Sequence, residues 1–192
     1  MNRQEEMKTS QQIELKDYLK RLQKRFHLVL VAFYAYNNLS SREYCEKERY
    51  KSFFWIAERA LGSYLFIELA KFFDKGHKSL SIYKVGSICE KIKFSNVLEV
   101  LTDEQGGIVE RIRKFRDKWL AHEDIVQPRL PRIAHRDVEE LLNQISKILN
   151  KISREIGEGV WLHDYQEGVV QVDIDRLFED LGSIVLKKKL AV

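Results

Sequence analysis

Proline is nearly absent from these 192 residues: there are two, Pro128 and Pro131, in one short stretch. Glycine is sparse too, at nine residues. A chain this poor in turn formers does not make the many tight connections of a sandwich or barrel, which excludes a loop-rich β architecture. Cysteine is scarce: Cys45 and Cys89 stand singly and far apart. They have neither zinc-site nor redox spacing, and lone thiols fit a reducing cytosol, so a cytoplasmic location is expected. An excess of one charge is also missing. Lys and Arg number 33 against 29 Asp and Glu, a net charge of +4. Bulk charge therefore demands no nucleic-acid partner, and any RNA binding has to come from a local cluster. Met1 to Gln12 is polar, carries both charge signs and lacks the apolar core of a signal peptide. The longest apolar stretch, 53–73, is interrupted by Glu58, Arg59, Glu68 and Lys71. Charges are costly in lipid, so a central helix buried on most sides is expected there, with no membrane span.

What is present is helical periodicity, in a chain 44% hydrophobic and 32% charged, the balance of an ordinary globular protein. One domain over 1–192 is expected. Leu15, Leu19, Leu22, Phe26, Val29 and Phe33 step along a first helix, 11–38, and a second runs over 43–74. Ser81 is placed to cap a helix over 82–91, a short helical piece follows over 93–100, and Thr102 or Asp103 starts the next. Val138, Leu141, Leu142, Ile145, Ile148, Leu149 and Ile152 define a helix over 136–156, stopped by Gly157 and Gly159. Alternation around Glu167-Gly168 predicts a small hairpin over 160–172, then a last helix over 174–186 capped by Asp173. Residues 1–10 are expected to be disordered and 187–192 to form a basic tail. The fold class is an all-α, up-and-down bundle of about five or six helices. The wide apolar surface of 53–73 points to a second subunit, hence a two-fold dimer.

The chemistry gathers in Glu110-Arg111-Ile112-Arg113-Lys114-Phe115-Arg116-Asp117-Lys118-Trp119-Leu120-Ala121-His122. Five basic residues fall within eight positions, interleaved with Ile112, Phe115 and Trp119. With Ile108, these apolar residues follow helical spacing, so this is an amphipathic helix with one face in a core. Arg116 offers a fork of donors that fits phosphate, and His122 an imidazole that moves protons near neutral pH. The structural alternative stands beside it: a surface Arg116 paired with Asp117 or Glu123, and a histidine complementing a helix C-terminus. On an ideal α-helix, six residues leave Arg116 and His122 about 120° apart. They converge only if the helix ends or bends before His122, or if two copies contribute. No paired cysteines or H-E-x-x-H run suggests zinc, and adjacent residues such as His122-Glu123-Asp124 rarely converge on one ion. No metal or cofactor is expected. Glu58, Arg59 and Glu68 read as an internal ion-pair set, the alternative being a cleft lining. Asp74 reads as a cap or a lysine partner, the alternative being an approach to the site.

The run Arg116-Asp117-Lys118-Trp119-Leu120-Ala121-His122 resembles the signature of the HEPN family: Arg, a polar residue, a few variable positions, then His near the end of a bundle helix. A long apolar helix ending at Asp74, then Ser79-Leu80-Ser81-Ile82 opening the next, resembles the abortive-infection-type, AbiU-like branch. The resemblance implies a metal-independent endoribonuclease with a composite site at a dimer cleft. In it, Arg116, Asp117 and His122 would be catalytic and Arg113, Lys114 and Lys118 would guide RNA, leaving 2′,3′-cyclic phosphate ends. It also implies a toxin–antitoxin or phage-defence setting with an antitoxin partner. Alternatives are a non-catalytic nucleotide- or protein-binding HEPN module partnering a nucleotidyltransferase, or a helical scaffold.

Overall fold

The computed structural model describes residues 3–41, 50–76, 79–94, 97–100, 103–117, 133–159 and 164–190. The fold is all-α, with no strand among the described residues. The helices are α1 (Arg3–Ser40), α2 (Lys51–Phe72), α3 (Ile82–Lys91), α4 (Asp103–Phe115), α5 (His135–Glu155) and α6 (Asp164–Leu190), with a 3₁₀ turn at Val97–Val100. Backbone contacts gather the chain into two units, Met1–Phe26 with Phe66–Trp161, and His27–Leu65 with Leu162–Val192.

In the first unit α5 supplies the most regular stripe. Val138, Leu141, Leu142, Ile145, Ile148, Leu149 and Ile152 are all buried. Burying one such side chain stabilises by roughly 1.5–3 kcal/mol. The buried hydrogen bond from Gln23 Nε2 to Ser153 Oγ, 2.9 Å, contributes about 1 kcal/mol net. Apolar burial therefore holds α5 in place, and the polar tie fixes its register against α1. Gly157, at φ 71°, ends the helix: Glu158 N–H donates to Ser153 O and Gly157 N–H to Arg154 O, the paired bonds of a Schellman cap.

The α3 helix begins as expected, with Ser81 Oγ accepting from Lys84 N–H. It ends in the same paired bonds, Phe94 N–H to Cys89 O and Lys93 N–H to Glu90 O. Here the left-handed position is Lys93, at φ 61°. A Cβ on Gly86 would stand 2.8 Å from Leu98 Cδ1, so this glycine lets α3 close on the 3₁₀ turn. Arg25 ties three segments together. Its Nη1 donates to Leu80 O at 2.9 Å, and its Nε lies 3.3 Å from Glu68 Oε2. Lys71 Nζ takes the other oxygen of Glu68 at 2.6 Å.

The second unit packs Val29, Leu30 and Phe33 of α1, Phe54 and Leu65 of α2, and Val170, Ile174 and Phe178 of α6 inward. Phe54 stacks on Phe178 with ring centroids 5.2 Å apart. The start of α2 departs from the expected helix buried on most sides: Phe53, Trp55 and Ile56 are about 60% exposed.

Three further expectations are corrected. The stretch expected to form a hairpin is helical from Asp164 onward, and Asp173 lies inside α6. Short apolar-polar alternation is ambiguous, and the spacing of Val170, Ile174 and Phe178 by four decides for a helix. The chain from Arg3 belongs to α1, where disorder was expected over 1–10. The basic run Lys187–Lys189, expected in a tail, continues α6. Residues 160–163, from the expected hairpin, lie outside the described residues.

Candidate functional site

The basic helix α4 is seated by its apolar positions. Ile108, Val109 and Ile112 are buried, and the ring of Phe115 packs on Phe66 at 4.7 Å between centroids. Regular α winding stops at Phe115; Arg116 and Asp117 are π-helical. There the bonding loosens from i→i+4 to i→i+5.

Arg116 continues the buried stripe. It follows the buried Val109 and Ile112 by seven and four positions. The guanidinium is accordingly held near the core edge, 31% exposed, whereas Lys114 is 58% exposed. Its Nε and Nη2 both lie 2.7 Å from Asp117 Oδ1. The structure thus brings Arg116 and Asp117 together. A half-desolvated guanidinium held this way has donors to give to an arriving phosphate, in surroundings where each counts for more than in bulk water.

The other basic residues divide. Arg111 Nη2 binds Asp137 Oδ2 at 3.0 Å and ties α4 to the first turn of α5. Lys114 pairs loosely with Glu110 at 3.6 Å. Arg113 is half-buried, one turn before Arg116. Lys118 and His122 lie outside the described residues, as do Trp119 and the proline-bearing stretch. The anchoring of Arg111 escaped the sequence reading because the partner is 26 positions away; the signal available was that Arg111 falls beside Ile108 and Phe115 on the helix, at the border of the buried face.

Of the charges in the apolar stretch, Glu68 is the centre of an ion-pair set, with partners Arg25 and Lys71. The guanidinium of Arg59 lies 5.5 Å from the Trp55 ring centroid. Asp74 closes its own loop: Oδ1 accepts from Gly76 N–H at 2.9 Å, and its carbonyl accepts from Ser79 Oγ. Among the described residues no three His, Cys, Asp or Glu side chains gather as metal ligands. No helix among them is long and apolar enough to cross a membrane.

A family model of the HEPN type, described as AbiU2, matches residues 13–177. No curated protein and no solved structure matches the chain.

Proposed function

The chain belongs to the AbiU2 family of HEPN domains, and from that premise we propose that it is a metal-independent endoribonuclease acting as a toxin or phage-defence effector. The observation that carries the reading is Arg116, half-buried at the end of α4 and oriented by Asp117. In this reading the 2′-hydroxyl attacks the neighbouring phosphorus and the bond to the 5′-oxygen breaks. The products are a 2′,3′-cyclic phosphate and a 5′-hydroxyl. His122 takes the 2′ proton or gives one to the leaving oxygen, and two copies facing each other fill both roles. Arg116 stabilises the charge that builds on the phosphate oxygens. Arg113, Lys114 and Lys118 guide the strand. The exposed apolar residues Phe53, Trp55 and Ile56 support a surface through which two copies pair. One HEPN domain over 1–192 carries this activity.

The test is purified protein with total RNA in chelator. Wild type cleaves, and His122→Ala and Arg116→Ala each lose about 10²–10⁴-fold in rate. Arg116→Lys does not restore it, because an ammonium lacks the fork. Intact RNA with wild type at every concentration, or full cleavage by His122→Ala, overturns the ribonuclease and leaves a binding module.

A further inference from the structure

Beside the end of α2 lies a pocket of about 340 Å³ whose lining includes three lysines, Lys75, Lys84 and Lys91, together with Ser87. Lys84, Ser87 and Lys91 are spaced by three and four, one face of α3 over two turns. Tyr83 forms part of the wall: its ring packs edge-on against Phe73 at 6.4 Å, and Lys75 Nζ lies 5.5 Å from its centroid. The lining also holds one carboxylate, Asp74, which accepts from Gly76 N–H and leaves the lysines in excess. Neither Lys84 nor Lys91 has an ion-pair partner among the described residues. Like charges gathered in a concavity repel, so their arrangement fits an anion that neutralises them.

Phe115, next to Arg116, packs on Phe66; seven residues along, Phe73 packs on Tyr83. The residue beside Arg116 and the wall of the pocket thus both pack against the stretch from Phe66 to Phe73.

We propose that the pocket of Lys75, Lys84, Ser87 and Lys91 is a second phosphate subsite, holding a phosphate that flanks the one at Arg116. It rests on the RNA reading of Arg116 and adds where the strand runs. Three ammonium groups act as point charges and a hydroxyl donates a hydrogen bond, which recognises a phosphate without reading a base.

The test uses full-length protein and a fluorescent 2′-O-methyl oligouridine, which lacks the hydroxyl needed for cleavage, titrated over a series of salt concentrations. Lys84→Ala/Lys91→Ala weakens binding at least about tenfold, the scale of lost charge-assisted hydrogen bonds. It also lowers the salt slope by about 0.7 per phosphate contact removed. Lys20→Ala/Lys24→Ala, on the exposed side of α1, removes the same charge and changes neither. Equal behaviour of the two double variants overturns the subsite while leaving the RNA reading intact. Failure of wild type to bind the oligonucleotide overturns both. Matching urea midpoints for the two variants exclude unfolding as the cause of a loss.

Discussion

One oxygen of Asp117, Oδ1, receives both Nε and Nη2 of Arg116, each at 2.7 Å. The Asp117 side chain is 59% exposed, so the pair contributes little to stability, about 0–1 kcal/mol. In the proposed ribonuclease the role of Asp117 is to direct the guanidinium. Asp117→Ala is expected to lower RNA cleavage by about tenfold and Arg116→Ala by about 10²-fold or more. Asp117→Asn keeps an acceptor oxygen and retains more activity than Asp117→Ala. Thermal melts of all three match wild type within what about 1 kcal/mol moves. A large loss of melting temperature in Arg116→Ala would make the pair structural instead.

Glu68 behaves differently because it is buried and shared. Glu68→Ala leaves Arg25 and Lys71 without their carboxylate and is expected to cost about 1–3 kcal/mol, read from the urea midpoint. Glu68→Gln, which still accepts hydrogen bonds, costs less. Equal stability of wild type and Glu68→Ala would refute this role.

Lys93 holds the left-handed position after α3, at φ 61°. A side chain there costs roughly 1–2 kcal/mol, and glycine removes most of that strain while adding freedom to the unfolded chain. Lys93→Gly is therefore expected to stabilise by about 1 kcal/mol in urea denaturation. Gly157→Ala at the matching position after α5 should destabilise by a similar amount.

Burial pushes the Cys89 thiol up to about 11. In the unfolded chain the thiol ionises at lower pH. The neutral thiol thus favours the folded state fully below the unfolded pKa, and that contribution fades as pH rises toward 11. Two outcomes follow. In a Cys45→Ser background, Cys89 stays unlabelled by a thiol reagent at neutral pH until denaturant is added. Stability also falls with alkaline pH more steeply than in Cys89→Ala, measured by urea midpoints from neutral pH upward. Rapid labelling of the native protein would contradict the burial.

Much was legible in the sequence because helices obey a local rule. The stripe Val138 to Ile152, the cap at Ser81 and the core face Ile108, Ile112 and Phe115 follow from spacing, side-chain chemistry and little else. The Arg116–Asp117 pair was legible too, as adjacent residues of opposite charge. The sequence misled where local signals were weak or balanced: alternation around Gly168 fits a hairpin and a helix equally, and only Val170, Ile174 and Phe178 finding a shared interior makes it helical. What tertiary structure alone decided are relations between distant positions. Arg111 was one basic residue among five in its run until Asp137 took it, and Glu68 became the centre of a network only when Arg25 reached it from another helix. Likewise Phe115 packs on Phe66, which comes from a different helix. Periodicity states which face of a helix is buried, but packing determines the partner that it meets.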